Sequence, residues 1–131
     1  HADTIRAPET EVKVVIGLPE REEKLKAYID GMDSVGRTLD EYKTTTGSYW
    51  NQHTVDANEQ LSFYAYIYWL MDGKYFKEIR LHRLNVKSGS IKTFYTARGP
   101  QDIQLIREKI DYTISDMKAS GMWDKRLSHE D

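Results

Sequence analysis

The chain contains 131 residues, of which 39% are hydrophobic and 31% are charged, and its formal net charge is −2. Such a composition is typical of one folded domain that buries its own core, and it excludes a disordered or fibrous protein. Cysteine is absent, which excludes disulfide bonds and thiolate metal sites. The most apolar run, residues 61–71, is too short to span a bilayer as a helix, so we expect no membrane insertion.

Residues 1–10 form a polar segment that begins at His1 rather than Met, and we predict a flexible tail there. A chain that starts in this way has lost a signal peptide or has been trimmed from a longer one. The absence of cysteine suits an oxidising compartment as well as a cytosol. We therefore expect a periplasmic or otherwise exported protein, with a cytoplasmic location as the alternative.

The first part of the chain predicts a strand followed by a long helix. Residues 11–17 (EVKVVIG) are rich in β-branched side chains, which favours a strand. A helix is predicted over residues 18–43, because Pro19 suits its first turn and apolar residues follow at a spacing of three and four. These apolar residues are Leu25, Tyr28, Ile29, Met32, Val35, Leu39 and Tyr42. Asp40 and Glu41 would oppose the dipole at the end of that helix, a placement that can mark a functional position.

The central part of the chain predicts a β-hairpin. Two aromatic-rich segments, residues 59–71 and 74–86, flank the dipeptide Asp72-Gly73. Asp-Gly between β-prone segments is a strong hairpin signal, because both turn residues must adopt a positive φ. In that register, both faces of the hairpin carry apolar side chains, and which face is exposed stays open. One face combines aromatic and charged side chains: Trp69, Phe76, Glu78, Arg80 and His82.

The last part of the chain predicts one more strand and a second helix. Residues 91–96 would be a third strand after a Ser-Gly-Ser turn. Gly99-Pro100 suits the start of the final helix, and Gly121 suits its C-terminal cap. The apolar stripe of this helix consists of Ile103, Ile106, Ile110, Ile114 and Met117.

These elements together predict the α+β class. We expect an antiparallel meander sheet of about four to five strands with two amphipathic helices packed on it. The predicted organisation is a flexible N-terminal tail (residues 1–10), a single α+β domain (residues 11–123) and a frayed C-terminal tail (residues 124–131).

Candidate binding residues lie in two segments. Residues 44–58 are the least regular part of the chain, and aromatic side chains in a polar loop are typical of binding sites. The hairpin face mixes apolar and charged side chains, as protein interfaces do. The predicted partner-binding residues are Tyr49, Trp50, Gln52, His53, Trp69, Phe76, Glu78, Arg80 and His82.

Structural interpretations of the same residues stay open. Trp50 would then close the edge of the core, and residues 44–58 or a second copy of the chain would cover the sheet face. Glu78 and Arg80 would form a surface ion pair of small energetic value. Residues 72–98 contain seven Lys and Arg residues and two acidic ones, which favours an acidic partner, although Lys and Arg also protect strand edges from aggregation.

The sequence contains no catalytic, phosphate-binding or cofactor motif, and its four histidines lack the spacing of metal ligands. We therefore expect no enzyme activity, no cofactor and no metal. An acid–base set formed by Glu78, Arg80 and His82 is the alternative.

The hairpin sequence SFYAYIYWLMDGKYFKEIRLHRL and the polar-aromatic segment TTTGSYWNQH resemble, in overall style, the periplasmic immunity proteins that neutralise type VI secretion effectors. The resemblance covers residues 11–123 and transfers no individual residue role. It implies an inhibitor that binds an acidic or cleft-bearing enzyme, such as a secreted cell-wall hydrolase, often as a dimer.

Two other functions stay open. A small enzyme or ligand carrier would have a pocket between sheet and helices. A single-stranded nucleic-acid binder would stack bases on the strand aromatics and hold phosphates with Lys and Arg. The net negative charge disfavours this last alternative, because nucleic-acid-binding domains are normally basic.

Overall fold

The structure is a computed structural model that describes residues 11–47 and 49–121. In these residues, six strands and three helices follow in the order β1 (Val12–Gly17), β2 (Lys24–Ile29), β3 (Gly31–Asp33), β4 (Thr38–Thr45), α1 (Gln52–Asp56), α2 (Glu59–Asp72), β5 (Glu78–Asn85), β6 (Ile91–Thr96) and α3 (Pro100–Ala119). The α+β class is confirmed. None of the described helices has both the length and the apolar character that a membrane span requires. Both predicted tails lie outside the described residues, and the predicted domain limits stay a prediction.

The strands form two sheets rather than the single meander that we predicted. β1 and β2 pair as an antiparallel two-stranded sheet. The second sheet has the strand order β3-β4-β5-β6, and its central pair, β4 and β5, is parallel. A parallel pair needs a crossover connection, which α1 and α2 supply here. The prediction of an all-antiparallel sheet was wrong because it missed this crossover.

The predicted helix over residues 18–43 is also wrong, since this segment forms β2, β3 and β4. Leu25, Ala27 and Ile29 of β2 all pack in or against the core, which is the period of two expected of a strand. Leu25 and Ile29 also fit a spacing of three and four when they are read together with Tyr28, Met32 and the apolar residues that follow. The segment therefore fits both the period of a strand and the period of a helix, and the prediction followed the helical one.

A tight turn joins β3 to β4 within the segment of the predicted helix. Asp33 Oδ1 accepts hydrogen bonds from the N–H groups of Val35 and Gly36, each 3.0 Å long. An aspartate that bonds its own backbone two and three residues on is a typical turn former. Arg37 follows with a positive φ of 60°. Its guanidinium donates to the Tyr75 carbonyl, which ties the turn to the segment before β5.

The predicted first strand of the hairpin, residues 59–71, is instead the helix α2. Asn58 caps its N terminus, since its Oδ1 accepts a 2.9 Å hydrogen bond from the Leu61 N–H. Gly73 ends the helix in the left-handed conformation, with a φ of 68°. Asp72-Gly73 is therefore a helix C terminus and not a hairpin turn. An Asp-Gly pair serves either structure, because each requires a positive φ at the glycine.

The helix α2 lies at the centre of the core. Its residues 64–68 are all buried, so every side of the helix contacts other parts of the protein. The Tyr64 hydroxyl donates to the Tyr28 carbonyl of β2 at 3.0 Å. The Tyr68 hydroxyl donates to the Ser34 carbonyl beside β3 at 3.3 Å. These bonds connect α2 to both sheets, and its apolar circumference explains why the sequence lacks a helical period.

The last helix is predicted correctly. α3 begins at Pro100 and packs against α2, with Ile103, Ile106 and Ile114 buried. Gly121 follows with a φ of 77°, as expected of a glycine beyond a helix end. Strands are also confirmed within the predicted segments 11–17, 74–86 and 91–96.

The two faces of the four-stranded sheet differ in character. The inner face packs into the core through Leu39, Glu41, Ile79, Leu81 and Phe94, which are all buried. The outer face is formed by the alternate residues of the same strands: Asp40, Tyr42, Glu78, Arg80, His82, Leu84, Ile91, Thr93 and Tyr95. Successive strand residues point to opposite faces, so the register alone assigns each residue.

Candidate functional site on the outer face of the sheet

Asp40 is the centre of a charged cluster on the outer face. It lies on β4 directly beside Arg80 of β5. Arg80 donates from Nε to Asp40 Oδ1 at 2.7 Å and from Nη2 to Oδ2 at 3.0 Å, which is a bidentate pair. Glu78 Oε2 lies 3.8 Å from Arg80 Nη1. Glu78 and Arg80 are therefore neighbours on one face, as predicted, but Asp40 is the closer partner of Arg80.

His82 extends this cluster towards β6. Its Nε2 lies 2.7 Å from Asp40 Oδ1, and its Nδ1 lies 2.9 Å from Thr93 Oγ1. The Tyr42 ring stacks on the imidazole with a centroid distance of 4.8 Å. Two hydrogen bonds and one ring contact fix the imidazole, and 14% of the His82 side chain is exposed. The cluster of Asp40, Arg80, His82 and Thr93 is thus a single connected network.

The pKa of Asp40 lies below its usual range. Partial burial raises this pKa, and the hydrogen bonds from His82 and Arg80 outweigh the effect of burial. The hydrogen bond to Asp40 in turn raises the pKa of Arg80. Both groups are therefore charged at neutral pH, which keeps the bidentate pair intact.

Thr93, His82 and Asp40 have the connectivity of a hydroxyl–imidazole–carboxylate relay. Two observations count against acid–base chemistry at this place. Arg80 donates to both oxygens of Asp40, so the carboxylate is shared between the guanidinium and the imidazole. Neither of the two hollows described below is lined by any member of the relay, whereas enzymes bind substrates in concave sites. The network is therefore held in place on the sheet face by its own hydrogen bonds.

Exposed apolar side chains surround the charged cluster. Tyr95 pairs with Arg80 across β5 and β6, and 56% of it is exposed. Leu84 and Ile91 pair with each other further along, with 36% and 49% exposed. An open hollow of about 520 Å³ lies beside Tyr95, bounded by Asp56, Lys77, Glu78, Thr96 and Ala97.

The four predicted loop residues divide between the core and the surface. Trp50 packs against the core, as the interpretation that it closes the edge of the core expects. The Tyr49 ring contacts Trp50 edge-on, and 65% of Tyr49 is exposed. Gln52 of α1 donates from Nε2 to the Tyr95 carbonyl at 2.9 Å, which ties α1 to β6. His53 is exposed on α1. Of the four residues, Gln52 is the one that a hydrogen bond joins to a residue of the outer face.

Trp69 and Phe76 do not pair across a hairpin, because residues 59–71 are helical. Trp69 is half-buried on α2, where its ring stacks with Tyr66 at a centroid distance of 6.3 Å. Phe76 is buried between α2 and β5, and it stacks on Tyr68 at 4.3 Å. The structure places both residues in or against the core and not on the outer face.

The sequence did not indicate that Tyr42, Thr93 and Tyr95 belong to this site. Asp40 gave one signal, since its charge conflicts with the dipole of the predicted helix, and that conflict arises because the segment is a strand. The bond between Asp40 and Arg80 spans 40 residues. Only the parallel pairing of β4 with β5 brings these two residues together.

The surface is less basic than residues 72–98 suggest. Arg98 is 4% exposed, and its guanidinium donates five hydrogen bonds inside the protein. Two of them reach the Val55 and Asn58 carbonyls, at the end of α1 and the start of α2. Arg98 therefore holds the crossover together, while Arg80 is neutralised by Asp40.

A second hollow, the apolar groove, lies between β2, α2 and α3 and has a volume of about 490 Å³. Ion pairs lie around its rim, where Lys109 contacts Glu59 and Lys118 contacts Glu23. Its apolar floor consists of Leu25, Phe63, Ile106, Ile110 and Ile114.

Within the part of the chain that the structure describes, no three His, Cys, Asp or Glu side chains are grouped so as to hold a metal ion. Comparisons with protein-family models, with curated proteins and with solved structures found no match to the chain. The interpretation of the site therefore depends on its own geometry.

Proposed function

We propose that the protein is a non-enzymatic protein-binding module whose partner docks on the outer face of the four-stranded sheet. One observation carries the proposal: exposed apolar side chains surround a fixed, charged network on that face. Tyr95, Leu84 and Ile91 offer apolar area, and Asp40 and Arg80 offer oriented charges. Apolar anchors supply most of the binding energy in such interfaces, whereas oriented charges supply specificity.

Tyr95 is the proposed anchor of this interface. Its backbone carbonyl is bonded to Gln52, and its ring stands beside the open hollow of about 520 Å³. A side chain of the partner enters that hollow, while the Tyr95 ring packs against the partner. Because α1, β5 and β6 all border the hollow, its shape is set by rigid elements, and binding orders few side chains.

The partner in this proposal is a secreted enzyme, such as a cell-wall hydrolase, and the protein inhibits it in the periplasm. The resemblance to immunity proteins of type VI secretion effectors supports this reading. A stable complex buries about 800 Å² of surface on each partner. The rigid network on the sheet face suits the blocking of an active-site cleft.

A pull-down from the lysate of the source organism, read by mass spectrometry, tests the proposed surface. We expect one stoichiometric protein to bind the wild type, and Tyr95→Ala to weaken its binding at least tenfold. Tyr112→Ala is the matched control, because Tyr112 is 72% exposed but lies on α3. Unchanged binding by Tyr95→Ala, or an equal loss in both variants, would place the interface elsewhere.

Two further measurements test the inhibitor assignment. The captured partner, once purified, should lose its hydrolytic activity at a one-to-one ratio with the wild type and keep it with Tyr95→Ala. Light scattering on the protein alone measures self-association. A homodimer that Tyr95→Ala dissociates would assign the outer face to a second copy of this chain instead.

The apolar groove supports a second candidate function, a carrier of a small apolar ligand. Its floor is apolar and its rim charges are paired, which suits a neutral ligand. We expect a neutral alkyl ligand to raise the melting temperature of the wild type but not of Ile110→Lys, which places a charge in the groove. The nucleic-acid alternative is weakened, since Arg80 and Arg98 are engaged within the protein.

A further inference from the structure

A row of three cations crosses the inner face of the four-stranded sheet next to the core. Lys43 of β4, Arg83 of β5 and Lys92 of β6 lie directly opposite one another in the strand register. Neighbouring strands are about 4.8 Å apart, so three positive charges occupy adjacent positions on one face. Like charges in such positions repel each other and destabilise the sheet.

The neighbours of this cationic row compensate it only in part. Lys43 Nζ lies 3.3 Å from Glu41 Oε2, and Lys92 Nζ lies 5.1 Å from the centre of the Phe94 ring. Arg83, in the middle of the row, has no hydrogen bond or ion pair with any residue that the structure describes, and its Nε is buried. The buried Nε–H lacks an acceptor, which is unfavourable, but Arg83 as a whole is only partly buried, so the rest of its guanidinium is accessible to an anion.

We propose that Lys43, Arg83 and Lys92 bind a dianionic phosphate group, carried by inorganic phosphate or by a phosphomonoester, with Arg83 as the central ligand. Glu41 offsets at most one of the three positive charges, so the row matches a dianion better than a carboxylate. The planar guanidinium of Arg83 presents paired donors to two phosphate oxygens, and the flanking lysines act as point charges. The site lies on the inner face of the sheet, so it is independent of the proposed protein-binding surface.

Calorimetric titration of the full chain with inorganic phosphate at constant ionic strength, against chloride, tests the site. We expect the wild type to bind phosphate with a Kd of about 1 mM, since a few charge-assisted hydrogen bonds hold the anion. Arg83→Gln should weaken binding at least tenfold, and Lys92→Gln about fivefold. Lys92 is exposed, so its variant decides the question if Arg83→Gln does not fold.

Lys74→Gln is the control, because it removes one exposed positive charge outside the row. We expect its phosphate affinity to match the wild type within twofold. A loss in Lys74→Gln equal to that in Lys92→Gln would show a general charge effect and overturn the proposal. The absence of any binding heat at 20 mM phosphate, roughly twenty times the expected Kd, would also overturn it.

A comparison of phenyl phosphate with benzoate tests the chemistry of the ligand. We expect phenyl phosphate to bind at least fivefold more tightly, because it carries a second negative charge. Equal affinities would overturn the assignment to a dianion. Phenyl phosphate binding as tightly as inorganic phosphate would identify a phosphomonoester site, whereas tenfold weaker binding would identify a site for free phosphate.

Discussion

Asp40 and Glu41 are adjacent on β4, yet they lie on opposite faces of the four-stranded sheet and have opposite electrostatic properties. On the outer face, hydrogen bonds from His82 and Arg80 outweigh burial, and the pKa of Asp40 is lowered. On the inner face, burial raises the pKa of Glu41 to about 7, and the neighbouring carboxylate of Asp30 adds to the rise.

The comparison shows that the partners of a carboxylate, and not its residue type, determine its charge. Asp40 is matched by two donors that follow from the strand register. Glu41 is 3% exposed, its Oε1 accepts no hydrogen bond from the described residues, and Lys43 reaches Oε2 alone. The outer face therefore keeps its carboxylate charged, while the inner face tolerates a charge at a cost to stability.

The largest expected difference between the faces concerns packing. Leu81 is fully buried on the inner face, and Leu84 of the same strand is 36% exposed on the outer face. We expect Leu81→Ala to lower the free energy of unfolding by about 3 kcal/mol, because it leaves a cavity. Leu84→Ala should lower it by less than about 1 kcal/mol. Urea unfolding measures both, and equal losses would contradict the assignment of the faces.

Glu41→Gln should stabilise the protein at high pH. The folded pKa of about 7 lies above the ordinary value of 4.5, so the folded state binds the proton more tightly. The stability that comes from protonated Glu41 is complete below pH 4.5 and is lost as the pH rises through 7. The glutamine variant lacks this loss, and we expect it to exceed the wild type by up to about 3 kcal/mol at pH 8.

Unfolding curves of Glu41→Gln and the wild type, recorded from pH 4 to pH 8, measure this effect. The difference between the two proteins should grow with pH and flatten above about pH 8. A difference that is the same at every pH would show that Glu41 has an ordinary pKa and would contradict its proposed environment.

Asp40→Asn should have a smaller effect with the opposite pH dependence. The substitution removes the charge that pairs with Arg80 and His82, and we expect a loss of about 1–2 kcal/mol at pH 7. Because the folded pKa of Asp40 is lowered, its contribution is present above the unfolded pKa and is lost as the pH falls through the folded value. The gap between variant and wild type should therefore close as the pH falls well below the ordinary aspartate value of 3.8 in the same unfolding experiment.

The smallest expected change in stability is that of Tyr95→Ala. Tyr95 is 56% exposed on the strand at the sheet edge, so its removal should lower the free energy of unfolding by less than about 1 kcal/mol. A loss of partner binding without a loss of stability would assign Tyr95 to recognition. A fall in stability similar to that of Leu81→Ala would instead make Tyr95 a structural residue.

Parts of the fold were predictable where the local signals agree with one another. α3 has a helical stripe, Pro100 at its start and Gly121 beyond its end, and the structure confirms it. β1 and β6 have short β-prone sequences and are also confirmed. Glu78, Arg80 and His82 do share one face of a strand, because alternation along a strand is a local property.

In other parts of the chain, one local sequence feature is compatible with two different secondary structures, and the sequence does not distinguish them. Asp72-Gly73 ends α2 instead of turning a hairpin, since both uses need glycine at a positive φ. The helix α2 is apolar on all sides because strands and helices surround it, and that burial removes the period by which a helix is recognised.

The candidate site depends on long-range pairing. The pattern of residues determined that β5 would carry Glu78, Arg80 and His82 side by side. The identity of their partners, Asp40, Thr93 and Tyr95, was decided by the crossover that sets β4 parallel to β5 and by the hairpin that adds β6. Local preferences cannot choose among such pairings, because the free energy that selects them comes from burying α2 between the two sheets.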